Sequence, residues 1–350
     1  MNLTAVAWKV VPRLPGWLNA VVFAVAANGA WLLRSKNTKR LEHNLAKVVP
    51  EAGRAALRRL SRQAMRRNLK YYREALTMGG MSGQQIDRLV HLADRTAALA
   101  RIGPRRQAIL VLSHMGNWDA AGAWACRNVA PVITVAEHVQ PETVFEDFMS
   151  MRAKIGMTII PIEKGTSAYQ QLLAAAQTDD PYLICIVADR DLSNRGLEVD
   201  WFGRRAMVGA GPAALALATG RPLFPVSMHT VGKAYQLRFH PIVEVPASGT
   251  KTQRVRQMTQ QWVTALEAAI KQSPADWHMF QKVFVEDLDP DKAPLAGVSD
   301  NAQQGSPPRS PAVNQGAEPA PTAAAPLGQP AGPPATPPHP PAGEASAGAS

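Results

Sequence analysis

Cysteine is nearly missing from this chain. Cys126 and Cys185 are the only two, both in apolar surroundings and without the paired spacing of a disulfide framework or a thiolate metal site. A cysteine-stapled secreted scaffold is therefore excluded, and a reducing, cytoplasmic exposure fits. Nucleotide fingerprints are missing as well, since neither G-x4-G-K-[ST] nor G-x-G-x-x-G occurs. No metal fingerprint is present, and no Ser or Cys nucleophile motif offers itself as the carrier of a covalent intermediate. Acidic residues are scarce in one place. Between residues 34 and 73 only Glu42 and Glu51 stand against 13 Lys and Arg, a local surplus as large as the whole formal net charge of +11. Such a block seeks phosphates, on nucleic acid or on anionic lipid. It carries no recognisable nucleic-acid fold signature, so an anionic membrane surface is the expected partner and nucleic acid is not.

What is present begins with an apolar N-terminus. Residues 14–33 run without a charge, about the length that crosses a bilayer, but Pro15, Gly16, Asn19, Asn28 and Gly29 interrupt them. Trp17 and Trp31 near the ends suit an interface, and Arg34, Lys36, Lys39 and Arg40 follow at once. No small-residue cleavage site precedes a polar start, so the segment does not read as a signal peptide. Residues 1–33 are expected to lie in or dip into one leaflet, with a true span as the alternative. Residues 34–100 read as a basic helical region. Leu57, Leu60, Ala64, Leu69 and Tyr72 mark an apolar stripe, Gly79-Gly80 closes it, and a further helix is expected over 84–100. At the other end, residues 301–350 hold 13 of the 29 prolines and no aromatic residue. A segment of that kind cannot bury enough surface to offset chain entropy, so 299–350 is expected to be a disordered tail without a catalytic role.

Between these, residues 101–290 alternate strand and helix, and 46% apolar content supplies a core. Strands are expected at 108–112, 132–136, 157–162, 182–188, 222–229 and 235–245, with helices at 118–127, 141–155, 168–177, 213–219 and 253–271. The fold class is therefore α/β, a central and mostly parallel sheet flanked by helices. The most informative stretch is AILVLSHMGNWD at 108–119. Its apolar run is a strand buried on both faces, and His114 sits where that strand leaves the sheet, the edge at which open sheets place ligands. Asp119 follows five residues later. On a regular helix five residues turn through about 500°, so the Gly116-Asn117 turn is what could let the two converge. A His beside a carboxylate can take a proton from a hydroxyl.

Read in order, the motifs are similar to those of one family. They are H-x4-D at 114–119, Ala136-Glu137, R-x3-G-M at 152–157, D-R-D-L at 189–192, W-F-G at 201–203, G-P-A at 211–213 and D-W-H-M at 276–279. The chain resembles the bacterial acyltransferases related to the lipid A late (lauroyl/myristoyl) acyltransferases. D-R-D-L and D-W-H-M most resemble their phosphatidylinositol mannoside acyltransferase branch. The resemblance runs from the N-terminus to about Val285 and leaves out the Pro-rich tail. It implies transfer of a fatty acyl chain from acyl-CoA, a co-substrate rather than a cofactor, to a sugar hydroxyl of a glycolipid at the cytoplasmic face of the inner (plasma) membrane. It implies His114 as catalytic base, with Asp119 or Asp189 as its carboxylate partner. Asp189 stands where mycobacterial-type enzymes carry a Glu and is one methylene shorter. Glu137, Arg152 and Arg190 are the expected substrate-binding residues, and no metal is implied.

The chemistry agrees with this. An unactivated sugar hydroxyl needs a neutral imidazole to take its proton as it attacks a thioester carbon, and a carboxylate on the other ring nitrogen fixes the tautomer. The oxyanion needs donors, expected from backbone N–H groups at the start of the helix after His114, with Arg152 as a helper. His229 and His240 read as polar strand ends and His278 as structural. Two other readings stand beside this one: an acyltransferase acting on a lipid A precursor or a lysophospholipid, and a non-enzymatic protein binding anionic membrane or nucleic acid through residues 34–73.

Overall fold

The computed structural model describes residues 7–288 except 9, 164–166 and 192–195. The expected tail therefore lies outside the described residues, as does Leu192 of D-R-D-L. One aliphatic run sets the architecture. The run at 108–112 forms β2 (Ala108–Leu112), every residue of which is buried, and its neighbours in the sheet are β5 (Leu183–Val187) and β8 (Leu223–Val231). Burial on both faces is what a central parallel strand requires, and it explains an apolar run without alternation.

The remaining elements follow in chain order. α1 (Gly16–Leu32) opens directly after Pro15, and Ser35 caps α2 (Lys36–Val48) by accepting the Thr38 N–H at 3.2 Å. Asn19 in α1 is buried and donates through Nδ2 to the carbonyls of Val11 and Leu14, which ties this polar interruption of the apolar run to the chain before the helix. α3 (Arg54–Met78) buries Ala64, Met65, Asn68, Tyr71, Ala75 and Met78. Leu57, Leu60, Ala64 and Leu69 of the expected stripe share one apolar cluster, but Tyr72 does not continue it: Tyr71 is inside and Tyr72 is 44% exposed. Next come α4 (Gly83–Leu89), β1 (Val90–Leu92) and α5 (Arg95–Ile102). The single helix expected over 84–100 is thus two short helices around a strand. Ser82 and Asp94 each cap a new helix start, and β1 pairs in parallel with β9 (Ala234–Phe239), a tertiary pairing that overrides local helix preference.

After β2 the chain continues through α6 (Trp118–Asn128), β3 (Val132–Glu137), α7 (Glu142–Lys154), β4 (Met157–Ile162), α8 (Ala168–Ala176) and β5. A two-stranded hairpin, β6 (Leu197–Trp201) and β7 (Arg204–Val208), stands apart from the main sheet and was not foreseen. Its turn is Phe202-Gly203, both at positive φ (52° and 69°), the conformation favoured in two-residue hairpins. α9 (Gly211–Thr219), β8, β9 and α10 (Lys251–Gln272) complete the order. β9 stops at Phe239, short of the strand expected to 245, and Pro241 follows within two residues.

The main sheet has seven strands in the order β1-β9-β8-β2-β5-β3-β4, parallel throughout except for the β8–β9 hairpin. The mostly parallel α/β sheet expected from the sequence is the fold observed. The described residues all fall within one compact unit. Among them no single helix is long and apolar enough to cross a membrane. α1 nevertheless presents Trp17, Val21, Val25 and Leu32 to solvent, each more than half exposed.

Candidate active site

The register of β2 against β5 builds the centre of the site. Leu112 lies opposite Val187, and two residues beyond each strand end stand His114 and Asp189. Parallel neighbours in register carry i and i+2 on the same face, so the two side chains leave the sheet together. Asp189 Oδ1 meets His114 Nδ1 at 2.5 Å, and Asp189 Oδ2 accepts the His114 backbone N–H at 2.8 Å. A third donor, the Trp277 indole N–H, reaches Oδ2 at 2.9 Å. Burial alone would raise the Asp189 carboxyl, but the His114 ring and the hydrogen bonds from His114 and Trp277 outweigh it and hold the group below the usual carboxylate range. An ionised Asp189 keeps the proton of neutral His114 on Nδ1 and leaves Nε2 as the basic nitrogen.

The turn after His114 is clamped by the D-W-H-M segment. Gly116 N–H donates to the Asp276 carbonyl at 3.0 Å, and His278 N–H donates to the His114 carbonyl at 2.7 Å. Gly116 has φ +66°, and a Cβ there would lie 2.9 Å from Met228 Cγ and 3.0 Å from the Met228 carbonyl, so no other residue fits. The buried Asp276 carboxylate accepts the Thr230 N–H at 2.9 Å and its hydroxyl at 2.5 Å, and pairs with Arg67 at 3.0 Å. His278 donates through Nε2 to the Gly116 carbonyl at 3.2 Å, burial pushes its pKa down to about 3, and its ring also lines the cavity beside His114. Asn117 caps α6 by accepting the Ala120 N–H at 3.0 Å and donates to Glu74 at 2.8 Å, which also accepts from Tyr235 at 2.6 Å.

Asp119 goes elsewhere. It is fully buried in the first turn of α6 and accepts from Arg152 Nε at 2.7 Å and from the Tyr71 hydroxyl at 2.9 Å. Of the two carboxylates considered for His114, Asp189 meets the ring, and Asp119 anchors Arg152 against α3. The Gly-Asn turn does not bend Asp119 back to the imidazole. Burial opposes the Arg152 charge, yet Asp119 and Tyr71 hold it above its ordinary value. Burial, with Asp119 beside it, pushes the Tyr71 phenol well up. Glu137, at the end of β3, forms an ion pair with Arg190, the residue after Asp189.

These groups surround one cavity of about 710 Å³. His114, Asp119, Glu137, Arg152 and Arg190 all line it, and Asp189 supports His114 from behind. Below them its walls are apolar and run down one face of β2, β3 and β5. Among the described residues no three His, Cys, Asp or Glu gather in a metal-binding cluster. The backbone donors expected near His114 are largely engaged: the N–H groups of Met115, Gly116, Asn117 and Ala120 bond to Ser113, Asp276, Met228 and Asn117. Sequence reasoning missed Trp277 and Tyr71. Trp277 lay inside a quoted motif, but nothing local marked its indole N–H as a donor to a residue so distant in sequence.

The sequence model of the family described as bacterial lipid A biosynthesis acyltransferase matches residues 2–286. A protein of Mycolicibacterium smegmatis named phosphatidylinositol mannoside acyltransferase is 32% identical over 294 residues, covering 84% of this chain and 94% of that protein. A Mycobacterium tuberculosis protein of the same name is 29% identical over 288 residues, covering 81% of this chain and 88% of its own.

Proposed function

Since the chain belongs to the bacterial lipid A biosynthesis acyltransferase family and is an acyltransferase, we propose that it moves a fatty acyl chain from acyl-CoA to a mannose hydroxyl of a phosphatidylinositol mannoside. The observation that carries this reading is the His114–Asp189 pair at the rim of a long apolar cavity. The cavity suits the donor chain, and the rim brings the thioester carbon to the imidazole. Nε2 of His114 takes the hydroxyl proton as the oxygen attacks; the C–O bond forms and the C–S bond then breaks. The imidazolium, stabilised by Asp189, returns the proton to the departing CoA thiolate. Arg152, fixed by Asp119 and Tyr71, is a cation placed to offset oxyanion charge, with the first turn of α6 beside it. Glu137 and Arg190 are assigned to the acceptor headgroup, because they are an ion pair lining the cavity that does not join the Asp119–Arg152 pair.

The same proposal places the enzyme on the cytoplasmic face of the inner (plasma) membrane. The exposed apolar face of α1 supports this, together with the basic residues of α2 and α3 that follow it. The deciding experiment offers acyl-CoA with mannosylated phosphatidylinositol, a lipid A precursor and a lysophospholipid in parallel, beside His114→Ala. Transfer to the mannoside, lost in the variant, is the expected result. Transfer only to another acceptor moves the enzyme to a different branch, and transfer to none overturns the reading.

A further inference from the structure

One face of α3 reaches the site at three points. Arg67, Tyr71 and Glu74 stand at i, i+4 and i+7, so their side chains leave the helix on the same side. Each grips a different segment around His114. Arg67 pairs with Asp276 of D-W-H-M, Tyr71 donates to Asp119, and Glu74 accepts from Asn117 in the turn that joins His114 to α6. Glu74 is buried, and its carboxylate takes no part in the proton transfer.

The two oxygens of Glu74 serve different partners. Oε1 faces cations, with Lys70 Nζ at 3.4 Å and Arg73 at 3.7 Å. Oε2 accepts from Asn117 Nδ2 at 2.8 Å and from the Tyr235 hydroxyl at 2.6 Å. Burial, with Glu74 beside it, pushes the Tyr235 phenol up, so it stays a donor. A carboxylate only accepts, so the Asn117 amide must turn its NH2 group toward Glu74. That leaves Oδ1 for the Ala120 N–H, at 3.0 Å, and makes Asn117 the cap of α6. Turned the other way, the amide would set an oxygen against the carboxylate and an NH2 group against the Ala120 N–H. Asn117 is fully buried, so water does not supply the missing partners.

What the cap fixes is the first turn of α6. Trp118, the first residue of that helix, stands edge-on to the His114 ring with centroids 5.3 Å apart, and its own ring lies 4.3 Å from that of Tyr71. Asp119, the next residue, holds Arg152. The base and the cation assigned to the oxyanion are therefore aligned with one another through the turn that Asn117 caps. We propose that Glu74 is a positioning residue for acyl transfer. It keys the Asn117 amide, so that the first turn of α6 holds Trp118 against His114 and Asp119 against Arg152. This rests on the reading that the site transfers an acyl chain.

The test exchanges the two groups. Glu74→Gln puts an amide opposite an amide, and Asn117→Asp puts a carboxylate opposite a carboxylate. The double variant restores one of each, and its carboxylate at 117 caps Ala120 whichever way it is turned. Kinetics with palmitoyl-CoA and mannosylated phosphatidylinositol both varied are measured well below each melting midpoint. Either single variant should lower kcat about tenfold, with both KM values within about twofold of the wild type. The double variant should recover kcat to within about threefold. Hydrogen exchange over the first turn of α6 should speed up about fivefold in Glu74→Gln and slow again in the double variant. Should Glu74→Gln not fold, Glu74→Asp withdraws the carboxylate by one methylene and is read in the same way. Unchanged kcat in a folded single variant, a loss carried by KM alone, or a double variant no more active than the weaker single one overturns the proposal. If the wild type transfers no chain but exchange still follows the swap, the keying of Asn117 holds and the proposed reaction fails. If exchange ignores the swap, the keying fails too.

Discussion

Trp277 donates its indole N–H to Asp189 across 88 residues of sequence, at 2.9 Å, and completes the set of three donors on that carboxylate. Both side chains are fully buried, so the bond is shielded from water. Trp277→Phe keeps most of the ring and removes only the donor. Its expected effect is a fall in kcat of about tenfold with KM unchanged. A less compensated carboxylate holds a proton on the His–Asp pair more tightly, so the acid limb of the kcat/KM profile should move to higher pH. A lower rate with the limb unmoved would assign Trp277 to packing alone.

Asp189→Asn leaves a side chain of the same shape that no longer stabilises the imidazolium or fixes the same tautomer. Turnover should drop by about 10³ to 10⁴, the scale seen when the orienting carboxylate of such a pair is neutralised. His114→Ala should abolish measurable transfer while circular dichroism and the melting temperature remain close to wild type, because the ring is only partly enclosed. An Asp189→Asn enzyme with near-normal kcat would remove this residue from the mechanism.

The Asp119–Arg152 pair gives a different signature. Arg152→Ala strands a fully buried carboxylate, and about 3 to 5 kcal/mol of stability should be lost. Tyr71→Phe removes one donor and should cost about 1 to 2 kcal/mol. Chemical denaturation measures both. The Arg152→Ala loss should shrink markedly in an Asp119→Asn background, and additive losses would mean the pair is not coupled.

Acid should weaken the fold through His278. Its buried ring stays neutral down to about pH 3, whereas an unfolded histidine takes up a proton near pH 6.5. Between those values the unfolded chain binds more protons, so stability declines as pH falls, by about 1.4 kcal/mol per unit well inside the window. Urea titrations at pH 7 and pH 5 should show that decline in the wild type and a smaller one in His278→Gln. Equal slopes would mean the ring is not protonated on unfolding.

Membrane docking is expected to need the exposed face of α1. Val21→Asp with Val25→Asp should abolish co-flotation with vesicles rich in anionic lipid without shifting the melting temperature, since both residues are more than half exposed. Flotation unaffected by the double change would exclude this face.

The sheet and its His114 strand end were legible because their signals are local: apolar runs of strand length, each followed by a helical segment. Asp189 could be offered as a partner but not chosen over Asp119, since the choice depends on the β2–β5 register, which pairs residues 75 apart. β1 was hidden within an apparent helix because its only reason to be extended is the edge of β9. The β6–β7 hairpin was missed because its turn sets Phe202 before Gly203, where Asn, Asp or Gly is the usual partner in such a turn. Tyr71 and Tyr72 were confused for a simpler reason: adjacent helical positions differ by about 100°, and the stripe around them is broken by arginines.

The D-W-H-M segment follows α10 and closes over the turn that leaves β2 of the main sheet. A nascent chain that has reached only as far as β9 already holds His114 and Asp189, yet lacks the indole donor and the clamp on Gly116. Synthesis thus imposes an order of events. The apolar cavity can take shape before the His114–Asp189 pair is clamped, and the clamp arrives only after the seven strands of the main sheet have been made.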